Sequence, residues 1–336
     1  MSKNVSVYLL FALMGAWFAF AATASAANND GRVTLDPNLP IYRPQASLQG
    51  ELKLGGSNTM SHVGAVWADS FKRFYPEVKI SIALFGSRQA VTSVQSGETH
   101  IGLLSRSIRR DEVEDFAKAL GYPPTVLTPC LERAAVYVHQ SNPIRGLTFA
   151  QIDAIYSPKP LRGAAKPIRN WGELGLSGSL ASKQITAHGR ESETGSQVFF
   201  QEAIMLGGAM RGDLKEHASN QELLKALAED PTGIAFAGMS YDSPGVRAVP
   251  LAFAEGDPFV EINSAEADRG LYPLVRRLQL VVNHNPQQKL NPLQQEFVKY
   301  AFSRQGQEDV VKAGFQAIPA PPARVALDAI GLGVAR

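Results

Sequence analysis

Gly189-Arg190-Glu191-Ser192-Glu193-Thr194-Gly195-Ser196 is the stretch on which the reading of the fold turns. It follows a short run, 184–187, that reads as a strand, and it leads into 195–205, which reads as a helix. The first N–H groups of a helix have no partner within the helix. The helix macrodipole adds partial positive charge at the same end, so an anion is favoured there. Glycine lets the backbone come close, hydroxyls add donors, and Arg190 adds a fixed, fork-shaped cation. Two other stretches have the same character: Gly55-Gly56-Ser57-Asn58-Thr59-Met60 and Phe85-Gly86-Ser87-Arg88-Gln89. Ser and Thr also start many helices as plain N-caps. Three such junctions with neighbouring glycines and arginines point beyond capping. None has the G-x-x-x-x-G-K-[ST] or G-x-G-x-x-G spacing of the nucleotide-binding loops.

Outward from these junctions, strands and helices alternate, the pattern of an α/β protein. Strands are expected over 52–54, 79–85, 100–104, 134–138, 184–187, 234–237 and 272–282. Helices are expected over 61–74, 87–95, 111–120, 149–156, 195–205, 220–229 and 291–304. Thr148 with Gln151, and Asn291 with Gln294, read as capping boxes, and Pro292 suits a first turn. Residues 157–180 read as a loop around Trp171, and 239–268 as loop-rich. The acid run 111–115 reads as a solvated first turn, with docking of a partner as the other reading.

The chain has 336 residues, about two domains at roughly 100–200 residues each. Hydrophobic residues make up 45% and charged residues 19%, which excludes a disordered chain or a collagen. A formal charge of +2 excludes attraction to nucleic acid through bulk charge. Residues 1–26 read as a signal peptide. Lys3 opens it, 7–22 is almost wholly apolar, and Ala24-Ser25-Ala26 is an A-x-A exit. Residues 27–45 then read as an N-terminal arm. The one cysteine, Cys130, forms no intramolecular disulfide and reads as a small buried hydrophobe. Export to a periplasm fits these features. The six histidines show no metal-ligand spacing, and no nucleophile elbow is present.

The junctions, together with 101–108 (IGLLSRSI), 190–196 (RESETGS) and 272–283 (YPLVRRLQLVVN), resemble the PstS-like periplasmic phosphate-binding proteins of ABC transporters. Arg304-Gln305-Gly306-Gln307 and Gly314-Phe315 extend the resemblance, which runs from about 51 to 320. It implies an α/β, two-lobed periplasmic binding protein fold of type II, with the ligand in the inter-lobe cleft. One lobe would hold 46–133 plus 271–336, and the other 134–270. The implied ligand-binding residues are Ser57, Asn58, Thr59, Ser87, Arg88, Ser105, Arg106, Arg190, Thr194, Gly195 and Ser196. The implied ligand is an inorganic oxyanion, phosphate first, and the implied partner is a membrane ABC permease. No cofactor, metal, nucleic acid or second subunit is implied, so the protein is expected to be a monomer and not an enzyme.

The resemblance has two departures. The third loop reads Thr-Gly-Ser where the family usually has Ser-Gly-Thr, which keeps a hydroxyl on each side of a glycine. After the strand over 100–104, phosphate receptors often set an aspartate beside a serine, and here Ser105-Arg106-Ser107 stands. A carboxylate there accepts the proton of monohydrogen phosphate, and arginine accepts nothing. An acceptor would then come from Glu191 or Glu193, unless Glu191 holds Arg190 in place. Arg106 would either face the ligand or pair with a neighbouring acid. Two other functions fit the same loops: a sensor or an adhesion or secretion partner without transport, and a phosphoester hydrolase.

Overall fold

The computed structural model describes residues 35–45, 47–239 and 243–333. The expected signal peptide lies outside them. The first half of the chain runs β1 (Gly50–Gly56), α1 (Ser61–Lys72), β2 (Val78–Leu84), α2 (Ser87–Gln95), β3 (Ile101–Leu104), α3 (Arg110–Leu120) and β4 (Thr125–His139). Then follow β5 (Leu147–Thr148), α4 (Phe149–Tyr156), β6 (Thr186–Arg190), α5 (Gly195–Met205), β7 (Lys215–His217), α6 (Asn220–Ala228) and β8 (Gly233–Gly238). The last part holds β9 (Val246–Ala248), β10 (Leu251–Ala252), α7 (Ala265–Asp268), β11 (Val275–Val282), α8 (Pro292–Ala301), α9 (Arg304–Lys312), β12 (Gln316–Ala317) and α10 (Ala320–Asp328).

One sheet carries the order β2-β1-β3-β11-β4-β8-β6-β7. The strand β4 joins its two halves. From Thr125 to Arg133 it pairs antiparallel with β11, and from Ala134 to Val138 it pairs with β8. The register slips between Leu278 and Leu280, so Thr128 and Pro129 together oppose Gln279. Proline has no N–H to give to a ladder, and a bulge is where a strand tolerates it. A second connection lies just before β11, where Ala134 N donates to Leu274 O and the Tyr272 hydroxyl donates to Ala134 O.

Each half has its own core. Leu52, Leu54, Trp67, Phe71, Phe297 and Phe302 centre the first, and Ala90, Val94, Leu104, Phe116 and Val281 cover the opposite face of that sheet. Val136, Tyr156, Trp171, Phe200, Leu223 and Phe236 centre the second. The two tryptophans are anchors. Trp67 Nε1 donates to Gly306 O and Trp171 Nε1 donates to Thr232 O. The arm is tied down where it is described: Leu39 and Tyr42 are buried in the first core, and Tyr42 Oη donates to Glu296. Cys130 is fully buried, and burial raises its thiol pKa, so it stays protonated and inert.

Several expected elements change. The strand expected over 272–282 begins at Val275, because Tyr272 and Leu274 pack into the second core. The helix expected over 291–304 ends at Ala301, and after a break at Phe302 and Ser303 a further helix, α9, runs over Arg304–Lys312, with Ser303 as its cap through Gly306 N. Thr148 and Gln151 do form a capping box. Asn291 caps through Leu293 N, but Gln294 closes no box; its Nε2 donates to His100 O. The loop expected over 239–268 contains β9, β10 and α7. Among the described residues no helix is long and apolar enough to cross a membrane.

Candidate functional site

The strands β1 and β3 run parallel, and β6 runs parallel to β8 in the other half. In open α/β sheets ligands bind in the crevice beyond the carboxyl ends of strands. Ser57, Asn58 and Thr59 follow β1, Ser105 follows β3, Ser87 opens α2, Arg190 ends β6, and Thr194, Gly195 and Ser196 surround the start of α5. All nine, with Gly86, line one pocket of about 40 Å3. A single water occupies about 10–15 Å3 of such space. The pocket therefore suits an ion of a few heavy atoms and is far too small for a nucleotide or a sugar.

Hydrogen bonds among the loops hold their shape. Ser57 N donates to Leu103 O at 2.9 Å, and Thr59 N donates to Ser57 Oγ at 3.2 Å. Ser105 N donates to Ser87 Oγ at 3.1 Å, which ties the β3 end to the start of α2. Thr194 acts as the N-cap of α5: its hydroxyl donates to Glu191 O and accepts from Gln197 N. The Arg190 side chain is 5% exposed. Its Nε donates to His217 O, one Nη to Asn220 Oδ1 and the other to Ala218 O. The pocket lining contains hydroxyls, backbone, an amide and one guanidinium, and no carboxylate.

Two sequence candidates do not line this pocket. Successive helical residues are about 100° apart on the axis, so with Ser87 turned inward Arg88 turns outward. Its Nη1 meets Glu193, the neighbour of the pocket residue Thr194, at 2.7 Å, and both side chains are exposed. Glu193 also faces Arg109 at 3.8 Å. Ser105 and Arg106 form a bend after β3, and there Ser105 lines the pocket while Arg106 reaches away from it to α3. Its guanidinium grips Glu112 with both Nη atoms, at 2.5 and 2.8 Å. Arg106 is thus paired with an acid on α3, and Glu112 is part of that pair and not of a solvated face.

Sequence reasoning missed Arg276 on β11 and Glu132 on β4, which are direct register partners. Both are almost fully buried and form an ion pair behind the pocket. Arg276 also donates to Ser196 Oγ at 3.0 Å, Ser105 O at 3.3 Å and Thr59 Oγ1 at 3.4 Å. A usable signal was present in the strand YPLVRRLQLVVN: period-2 alternation puts Arg276 on the apolar face of Leu278 and Leu280. A charge on a buried face needs a partner.

Residues 43–305 match the PBP superfamily domain. The chain is 36% identical over 320 residues to the phosphate-binding protein PstS of Pseudomonas aeruginosa, covering 95% of this chain and 98% of that relative. The chain belongs to the PstS-like family of the PBP superfamily. Its members include the phosphate-binding protein PstS of Staphylococcus epidermidis, 23% identical over 84% of this chain and 83% of that one. An X-ray structure with bound phosphate from Clostridium perfringens, of the phosphate ABC transporter substrate-binding type, superposes with a TM-score of 0.65 at 24% identity, over 80% of this chain and all of the other. The ABC-type phosphate transport receptor of Vibrio cholerae superposes at 0.63 with 18% identity, again over 80% of this chain and 100% of that one. At those identities the likeness speaks for the fold. The two-lobed PBP fold expected from the sequence is the fold of this PstS-like chain.

Proposed function

We propose that this protein is a periplasmic solute-binding protein that captures an inorganic oxyanion, phosphate first, and delivers it to an ABC permease. The observation that carries the reading is the small pocket lined by hydroxyls and Arg190 where strand ends of both halves meet. The names of the relatives, phosphate-binding proteins and a phosphate transport receptor, support phosphate. The A-x-A exit at 24–26 supports export. The lobes divide as 46–133 plus 271–336 and 134–270, with β4 and the segment before β11 as hinges. The ligand is held by Ser57, Asn58, Thr59, Ser87, Ser105, Arg190, Thr194, Gly195 and Ser196.

A micromolar dissociation constant corresponds to about −8.2 kcal/mol. Hydrogen bonds to a charged group contribute about 1.5–3 kcal/mol each, so a handful covers that after the cost of ordering. The aspartate position of the family is occupied by Arg106, already committed to Glu112, so no carboxylate acts there as proton acceptor. Calorimetric titration of the stripped protein tests the reading. Phosphate should bind at one site, and Arg190→Ala should weaken it by about tenfold or more, the worth of one charge-assisted bond. Unchanged affinity in that variant would remove Arg190 from the site. Sulfate titrations across about pH 5–8, the range in which phosphate changes its charge, rank the oxyanions. Binding of another oxyanion without phosphate would overturn the choice of ligand.

A further inference from the structure

We propose that Arg276 is a positioning residue for the anion: from behind the pocket it turns the Ser196 and Thr59 hydroxyls so that their protons face the ligand. The inference deepens the oxyanion-binding reading and rests on it. Arg276 is not among the residues lining the pocket, yet three of its contacts are.

A guanidinium has only donors to give. The Ser196 oxygen therefore spends a lone pair on Arg276 Nη1, and the Thr59 oxygen spends one on Nη2. Each hydroxyl proton is then left to point elsewhere. Free hydroxyls rotate and present a lone pair or a proton with equal ease. With the oxygen facing Arg276, the proton is the part left for an acceptor in the pocket. Charge on the donor strengthens these bonds and polarises the hydroxyls toward a stronger O–H donation.

The arrangement is held from two sides. Glu132 accepts from Arg276 Nε and fixes the plane of the fork. Gly238, the register partner of Ala134, makes room for Glu132: any Cβ there would overlap its carboxylate. The guanidinium also joins the two halves of the protein. Thr59 and Ser105 end loops of the first half, whereas Ser196 lies in the first turn of α5 in the second. All three contacts exist together only with the halves as they stand here. Arg276 therefore couples the arrangement of the halves to the orientation of the donors.

A double-mutant cycle on phosphate affinity tests this. Removing one member of a buried ion pair strands the other charge, so the background is Arg276→Met with Glu132→Gln. In the unsubstituted protein Ser196→Ala should weaken phosphate by about tenfold, the worth of one bond to a charged ligand. In the Arg276→Met/Glu132→Gln background the same change should cost less than about threefold, because the serine is no longer oriented. Arg276→Lys keeps the charge and loses the fork, so it should bind between the two and serves as the background if the double variant does not fold. A merely structural role would lower the thermal midpoint while leaving the Ser196→Ala factor equal in all backgrounds, and that equality would overturn the proposal. Phosphate binding with additive losses removes the positioning role alone. No phosphate binding by the unsubstituted protein removes the oxyanion reading and the positioning role with it.

Discussion

Gly195 sits where the two sides of the pocket pack against each other without room for a side chain. A Cβ at this position would overlap Ser105 Oγ and lie 2.5 Å from Ser87 Oγ, both on the opposite side. Alanine in the first turn of a helix costs nothing by propensity. Gly195→Ala should therefore act through this contact, pressing the two sides apart and weakening phosphate by about tenfold or more, the worth of a lost bond to the charged ligand. Calorimetry reads that loss, and equal affinity would mean that the two sides make room for the methyl without losing a bond to the ligand. His217 supplies a pH signal beside the site. Burial, then the charges of His188 and Arg190, hold its pKa below the ordinary 6.5. The unfolded chain then takes up a proton that the folded chain resists, so its contribution to stability falls as pH drops through 6.5. His217→Asn should flatten the decline of the thermal midpoint on acidification; an unchanged slope would show that other groups set it. At this scale the hydroxyl loops were legible because each is a local strand-to-helix junction. Arg88 and Arg106 lie outside the pocket lining, each next to a serine that belongs to it, and pair with Glu193 and Glu112.

The strand β4 carries the most consequence among the elements, and only its stretch over 134–138 was legible. The longer strand contains Pro129 and Glu132, which argue against a strand until the bulge and the partner on β11 are known. That partner lies 144 positions away in sequence, so no local pattern reveals the pair. The break between α8 and α9 was hidden for a related reason. Apolar residues continue through Phe302, and Ser303 reads equally as a cap or as a helix interior until its bond to Gly306 N is seen. Ser303→Ala should destabilise the first half by about 1 kcal/mol, the usual worth of an N-cap, read by urea denaturation. Gly238→Ala should cost more, about 1–3 kcal/mol, as a steric clash against a buried network. At about 2–4 °C for each kcal/mol, a melting curve resolves that loss. A midpoint unchanged by Gly238→Ala would mean that Glu132 moves aside freely.

Across the whole molecule, the two halves are bridged by charge at residues that neighbour the pocket lining. Arg88 on α2 and Arg109 at the N-cap of α3 meet Glu193, and Arg109 also faces Glu202 on α5 at 3.9 Å. These pairs are half-exposed, and such pairs contribute about 0–1 kcal/mol singly and less in salt. Their place gives them a kinetic role, because they must part before the halves separate. Glu193→Gln should speed phosphate release a few-fold, about what a fraction of a kcal/mol allows, and the difference from the parent should shrink in high salt. A release rate indifferent to both would show that the pairs are incidental. A crystal structure grown with saturating phosphate decides whether the pocket between the halves holds a tetrahedral oxyanion. One phosphate is expected within hydrogen-bonding distance of the Thr59 and Ser196 hydroxyls and of Arg190, with Arg276 still donating to Ser196 from behind. Phosphate bound elsewhere, or a pocket without it at saturation, would remove this pocket as the oxyanion site.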